Sequence, residues 1–274
     1  MSDSYTRFDH EMMSLALKMA QKGHLSTRPN PRVGCVITKD QSIVGQGWHE
    51  KVGSPHAEIN ALNEAGSHAK GATAYVTLEP CSHTGRTPPC CNALIAAGVS
   101  KVITAMEDPN PQVSGRGIKA LQEAGIDVSC GLLEPAARKL NQGFIQRMTS
   151  GKPFVRCKMA MSLDGRTAMK SGESQWITSP SARLDGQRLR AQSGAIITGI
   201  GTVIADNPQM NVRDDAFIAT GISQPLRVIL DSQLQIDPTS KILNPPSEAL
   251  IAHVTDNMDK KAKLDSLGVT TVQI

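Results

Sequence analysis

The sequence predicts an α/β protein in two successive units, the first an α/β sandwich around a mixed sheet. Three observations predict it. Helical and strand periods alternate along most of the 274-residue chain. An early pair of strands is joined tightly enough to form an antiparallel hairpin. Ser150-Gly151-Lys152-Pro153 has the composition of a domain boundary, after which strand and helix patterns start afresh. The two units are therefore expected to span residues 1–150 and 151–274.

Asp9 is placed to cap a helix whose apolar residues Met12, Leu15, Ala16, Met19 and Ala20 recur at helical spacing, with Gly23 to end it. After the loop Pro29-Asn30-Pro31, the alternation of Val33, Cys35 and Ile37 reads as a strand. A turn at Lys39-Asp40 returns the chain through Ile43-Val44-Gly45. A helix from Ala57 to Ala65, a strand from Ala74 to Leu78, a helix after Cys90 and a strand from Lys101 to Thr104 follow. Ile118 to Ala124 and Ile126 to Ser129 add one more helix and strand, and Leu133 to Met148 reads as one polar-faced helix. In the second unit, strands are expected at Phe154 to Met159, Ala195 to Thr198, Arg227 to Leu230, Ala249 to Ala252 and Thr270 to Ile274.

Composition narrows the function classes. With 39% hydrophobic and 20% charged residues the chain can bury ordinary globular cores. A net charge of +4 and only 3% aromatic residues give little support to a base-stacking nucleic-acid surface, yet suit small anionic substrates. No apolar run follows the N-terminal residues as in a secretory signal, and none approaches a membrane span, so no membrane partner and a cytoplasmic location are expected. In a reducing compartment six cysteines point to metal ligands or small core residues rather than disulfides.

The chemistry concentrates in Pro55-His56-Ala57-Glu58, Pro80-Cys81 and Pro89-Cys90. One imidazole and two thiolates are a ligand set for a catalytic zinc ion, leaving a fourth tetrahedral position open for water. Glu58, two residues from a ligand, is suited to move protons to a ring nitrogen and to a leaving amine. His-x-Glu followed by Pro-Cys is the signature of zinc deaminases as a class. Here, however, Cys81 and Cys90 have eight residues between them instead of two. The Gly- and Pro-containing insert suggests a loop over the site, with Cys90 opening the next helix. Cys91 is the rival ligand, but it would point about 100° further round that helix. A purely structural zinc site would be closed by four protein ligands. His10, His24, His68 and His253 lack such company and read as structural, while Cys35, Cys130 and Cys157 read as small core residues.

Four segments together resemble the bifunctional riboflavin-biosynthesis deaminase-reductase family: Asn30-Pro31-Arg32-Val33-Gly34, Gly53 to Glu58, Thr77 to Cys90 with its long insert, and Asp108-Pro109-Asn110-Pro111. Ser162-Leu163-Asp164-Gly165-Arg166 and Gly172 to Thr178 carry the resemblance into the second unit. It implies a cytidine-deaminase-like α/β/α sandwich followed by a dihydrofolate-reductase-like α/β domain. It implies zinc-dependent deamination of a diaminohydroxypyrimidine bearing a phosphoribosylamino group, then NADPH-dependent reduction of the ribosyl group to ribityl. Carried over by position, it places Asn30, His49, His83, Arg86, Asp108 and Asn110 around the deaminase substrate, with Arg86 suited to the phosphate. As isolated loop residues these would more often be turn formers.

No dinucleotide fingerprint supports the reductase half. Gly199-Ile200-Gly201 has Ile204 where a third glycine belongs, and Gly115-Arg116-Gly117 follows a loop rather than a strand. On the resemblance, Ala160, Trp176, Thr202 and Asp206 line the NADPH site, and Ser174, Arg190, Met210 and Arg213 contact the reductase substrate. Without it, Met210 reads as core and Arg190 as the partner of Asp185 on a solvated helix face. The family's reductase continues into a further strand and Gly-rich turn, so the reductase domain is expected to be incomplete and to bind NADPH weakly or not at all. A homo-oligomer is a further family expectation. Two other readings stand beside this one: a cytidine or tRNA-adenosine type zinc deaminase, which would have the shorter cysteine spacing, and a non-catalytic RNA-binding module, which would need a basic, aromatic face.

Overall fold

A computed structural model describes residues 5–82, 88–111, 113–245 and 248–274. The chain forms two compact units, residues 1–156 and 157–274.

In the first unit, helix α1 (Arg7–Gln21) is capped by Thr6 rather than by Asp9. The Thr6 side chain accepts from the Asp9 N–H, and Asp9, at the third helical position, accepts in return from the Thr6 N–H. In such a reciprocal box both residues are polar, and the pattern alone favours the one nearer the apolar stripe. Strands β1 (Gly34–Lys39) and β2 (Ser42–Trp48) form the expected hairpin. Then come α2 (Ala57–Ala65), β3 (Thr73–Val76), α3 (Cys90–Ala96), β4 (Lys101–Thr104), α4 (Arg116–Glu123) and β5 (Asp127–Cys130). The sheet has the order β2-β1-β3-β4-β5, antiparallel on both sides of β1 and parallel from β3 to β5, which makes it mixed.

Register decides which helix lies on which face. Residues directly opposite across a ladder share a face, so Cys35 and Ile37 share one with their partners Gly47 and Gly45. Helix α2 packs there: a Cβ at Gly47 would lie 2.3 Å from the Ala57 carbonyl oxygen. The buried face of α2 is Ala57, Ala61 and Ala65, small side chains one turn apart, which is what permits this close approach. On the opposite face α1 packs against β1. The strand between them, β1, is buried on both sides.

The helix expected from Leu133 to Met148 is two helices, α5 (Glu134–Leu140) and α6 (Gln142–Ser150), interrupted at Asn141. The Asn141 side-chain amide accepts from the Arg32 N–H at 2.8 Å and donates to the Arg32 carbonyl at 2.9 Å. That long-range pairing holds Asn141 outside helical geometry at φ −113° and ψ 23°.

The second unit has α7 (Pro180–Ala191), β6 (Ala195–Gly199), α8 (Ile200–Asp206), α9 (Asp215–Ile218), β7 (Leu226–Leu230), β8 (Ala249–His253), α10 (Met258–Asp265) and β9 (Thr270–Gln273). Its sheet, β6-β7-β8-β9, is parallel throughout. Val203, Ile229, Ile251, Leu264 and Val269 build its core with the connecting residues Leu234, Ile236 and Ile242. The strand expected at Phe154 to Met159 does not form. An alternating pattern nominates a strand, but a ladder partner makes one, and among the described residues none pairs with this segment. Val155 and Met159 are accordingly exposed. Cys35 is buried as expected, whereas Cys130, at the end of edge strand β5, and Cys157, in the unpaired segment, are exposed rather than core. No described helix is long and apolar enough to cross a membrane.

The Gly47 contact should be measurable. Gly47→Ala is expected to destabilise the protein by about 1–3 kcal/mol in urea unfolding, because backbone rather than a flexible side chain meets the new methyl. A variant as stable as the parent would mean that α2 can retreat freely from β2.

Candidate metal centre and active site

Three segments meet at the candidate centre. His56 is the N-cap of α2, Cys81 follows β3, and Cys90 is the first residue of α3. Their ligand atoms all lie within 4.8 Å of one another, and they are the one such group found among the described residues. His56 Nδ1 is 3.3 Å from Cys90 Sγ and 3.6 Å from Cys81 Sγ. Nitrogen and sulfur on adjacent corners of a zinc tetrahedron, with bonds near 2.05 and 2.3 Å, are about 3.5 Å apart. The donor set therefore fits zinc in both chemistry and spacing, with one corner left for a fourth ligand. Cys91 is buried, but its sulfur turns to the Asn92 side-chain oxygen at 3.5 Å.

Electrostatics explains why a cation suits this place. Cys81 accepts from the Cys90 thiol and from the Cys90 backbone N–H at 3.3 Å, and these bonds with His56 hold its pKa down to about 4. Cys90, donating to Cys81 and buried, is pushed well above the usual thiol range. The two sulfurs thus share one proton, and a bound divalent cation would displace it. His56 is raised, first by its hydrogen bond to Cys81.

Glu58 is 3% exposed in the first turn of α2. Burial, and then the Cys81 charge, raise its pKa to about 7, and its side chain is in hydrogen-bond contact with Cys90. It therefore sits against a sulfur ligand with a proton affinity matched to neutral pH.

Among the expected deaminase-substrate residues, Asn30 and His49 meet directly. Asn30 Nδ2 lies 3.1 Å from His49 Nε2, and His49 Nδ1 lies 3.3 Å from the Pro55 carbonyl oxygen. A ring donating from Nδ1 to Pro55 accepts at Nε2 from Asn30, which fixes one neutral tautomer. Burial lowers the His49 pKa in the same sense. The His49 ring stands edge-on to His56, with centroids 5.3 Å apart. Asp108 is buried and accepts from the Asn110 N–H at 2.8 Å. His83 and Arg86 lie outside the described residues. One residue without an assigned role in the sequence proves central to this loop: Glu79, buried, whose carboxylate accepts from the Asp108 N–H at 3.0 Å.

In the second unit, hydrogen bonds gather Arg190, Met210 and Arg213. Arg190 donates to the Asn211 carbonyl at 3.2 Å and lies 4.0 Å from Met210 Sδ, and the Arg213 N–H donates to Gln187 of α7 at 3.0 Å. Burial and then Arg213 lower the Arg190 pKa. Asp185 pairs with Arg188 instead, so the ion pair considered for Arg190 does not form. None of these bonds involves Ser174. Thr202 and Asp206 are exposed one turn apart on α8, Ala160 is half-buried, and the exposed Trp176 ring lies under Arg183 at 4.4 Å.

A metal set at the ends of α2 and α3 on a mixed sheet, with a buried glutamate beside it, defines a protein with a deaminase-type zinc region joined to a second α/β unit. Residues 6–106 match the cytidine and deoxycytidylate deaminase zinc-binding region, and residues 153–274 match the RibD C-terminal domain. The riboflavin biosynthesis protein RibD of Escherichia coli (strain K12) is 55% identical over 257 residues, 91% of this chain and 70% of that protein. RibD of Haemophilus influenzae is 57% identical over 242 residues, 85% of this chain and 65% of that protein. Form 1 of Acinetobacter baumannii RibD superposes with a TM-score of 0.89 at 52% identity, covering 98% of this chain and 74% of that one. A deaminase/reductase from Thermotoga maritima gives 0.83 at 32% identity, covering 97% and 81%. The chain belongs to the RibD family of riboflavin biosynthesis proteins.

The Glu58 pKa gives a test with a definite sign. In metal-stripped protein the folded state holds a proton that the unfolded chain releases above about pH 4.5, so stability falls as pH rises from 4.5 to about 7. Glu58→Gln should therefore exceed the parent in stability at pH 8 by about 1–3 kcal/mol, and show no such gain at pH 4. Equal urea midpoints at pH 8 would mean that burial does not govern this carboxyl.

Proposed function

We propose that the chain is a bifunctional enzyme of riboflavin biosynthesis, with a zinc-dependent deaminase in residues 1–150 and an NADPH-dependent reductase in residues 151–274. The observation that carries the reading is the grouping of His56, Cys81 and Cys90 within 4.8 Å with a buried Glu58 against Cys90. The first step hydrolyses the diaminohydroxypyrimidine bearing a phosphoribosylamino group to the aminouracil and ammonia. The second reduces its ribosyl group to ribityl.

His56, Cys81 and Cys90 would hold the metal. Zinc in a three-ligand site, when bound, supplies an activated water as nucleophile. Glu58 carries both protons of the attacking water: it takes the first to the ring nitrogen and, once the carbon–oxygen bond has formed, takes the second from that hydroxyl to the departing amine, which leaves as ammonia. His49, neutral and fixed by Pro55, orients Asn30, whose side-chain oxygen is then turned to polar groups of the substrate. Asp108 and Asn110 read ring and ribose groups, with His83 as a further contact and Arg86 on the phosphate. In the second step Arg190 on α7 and Arg213, whose N–H donates to Gln187 of the same helix, are matched to the substrate phosphate. Met210 and Ser174 complete that substrate site, and Ala160, Trp176, Thr202 and Asp206 line the NADPH site. We place the enzyme in the cytoplasm as a homo-oligomer acting on small phosphorylated pyrimidines, apart from nucleic acid and membranes. The 3% aromatic content supports the small-molecule reading.

An ammonia-release assay on the phosphoribosylaminopyrimidine tests both steps. A gain of about one mass unit means deamination alone, whereas about two further units with NADPH mean that the reductase step also runs. Glu58→Gln should keep its zinc and lose at least about 100-fold in ammonia release, the scale of general acid–base catalysis. Undiminished turnover would remove Glu58 from the mechanism.

A further inference from the structure

A second buried carboxylate has no part in the chemistry above. Glu79 is 3% exposed and lies two residues before Cys81. Its Oε1 accepts from the backbone N–H of Gly117 at 2.8 Å and of Ile118 at 3.2 Å, in the first turn of α4. Its Oε2 accepts from the backbone N–H of Asp108, within the loop leading into α4, and of Gly115, the N-cap of that helix, each at 3.0 Å. Capping α4 accounts for the bonds from Gly115, Gly117 and Ile118, since Gly115 is the N-cap of that helix. The bond from the Asp108 N–H lies outside the cap and ties the same carboxylate, which would be costly to bury alone, to the loop.

Two backbone contacts fix the same place independently. The Glu79 N–H donates to the Met106 carbonyl at 2.9 Å. A Cβ at Gly117 would lie 2.0 Å from the Pro80 carbonyl oxygen, so the start of α4 rests directly on the residue before Cys81. The segment that delivers a metal ligand is thus stitched to the loop carrying Asp108 and Asn110 and to the start of the helix that follows it. Within that loop the Asn110 N–H closes onto the Asp108 carboxylate.

The geometry points to Glu79 as a positioning residue for the deamination: its carboxylate registers the Asp108–Asn110 segment against Cys81, so that the groups reading the pyrimidine and ribose stand at a fixed distance from the metal ligands. This rests on the assignment of Asp108 and Asn110 as substrate contacts. Glu79 itself touches neither substrate nor metal in this role, and its effect is therefore on binding geometry.

Glu79→Gln is the discriminating change. It keeps the shape of the side chain and one acceptor oxygen, but in either flip its NH2 group faces two N–H donors. Zinc stoichiometry, kcat and KM for ammonia release should be measured beside the parent enzyme. Full zinc content, kcat within about threefold and KM raised at least about tenfold are expected, the pattern of lost ground-state positioning. With an active parent, an unchanged KM overturns the inference, as does a loss confined to kcat and accompanied by loss of zinc. A parent that does not turn over the aminopyrimidine overturns the substrate assignment, and with it this role. Amide hydrogen exchange on the unaltered protein supplies a readout independent of the variant's folding. Asp108 and Gly115 should exchange as slowly as Gly117, and exchange at the rate of an open loop would overturn the inference whatever the kinetics.

Discussion

Helix α2 approaches β2 so closely that Gly45 and Gly47 would place a Cβ within 2.2 and 2.3 Å of the carbonyl oxygens of Ala61 and Ala57. Much of the first unit follows from that contact. Because the facing positions are glycine and alanine, the helix backbone lies directly on the sheet, and its N-terminal turn cannot tilt without a backbone clash. The turn so held carries His56 and Glu58, and Asn60 adds a hydrogen bond to the Trp48 carbonyl at 2.9 Å. Two sulfurs then need only arrive from the neighbouring elements. Cys81 comes from the end of β3 and Cys90 from the start of α3, tied together by the Cys90 N–H on the Cys81 sulfur.

The same economy recurs at the other side of the metal ligands. Gly117 lets α4 rest on Pro80, and Glu79 gathers the amides around it. A small residue again permits contact with backbone, and a polar side chain again fixes its direction. The donor set is held by backbone on both flanks.

Much of this was legible in the sequence. Short apolar runs bounded by turn residues placed β1, β2 and β4 well, although β1 and β4 are buried without alternation and only β2 alternates in part. The metal ligands were legible because His, Glu and Cys carry their chemistry in the side chain, and the eight-residue gap between the cysteines set them apart from the short-spaced deaminases. What escaped depends on partners distant in the chain. The break at Asn141 comes from a pairing with Arg32, 109 residues away, which no helical period can reveal. Phe154 to Met159 has the alternation of a strand but no neighbour among the described residues. Glu79 was visible within Thr77-Leu78-Glu79-Pro80-Cys81, yet its partners are backbone amides 29 to 39 residues on, and an amide leaves no mark in the residue type. A buried acid directly after a strand and just before a ligand was the one available signal.

The central claim is an open, three-ligand metal centre made of one imidazole and two thiolates. X-ray absorption at the zinc edge of the metal-loaded protein tests it most directly. The geometry predicts two sulfur scatterers at about 2.3 Å and two nitrogen or oxygen scatterers near 2.0–2.1 Å, one of the latter exchangeable. A third sulfur, or four ligands all from the protein, would contradict it.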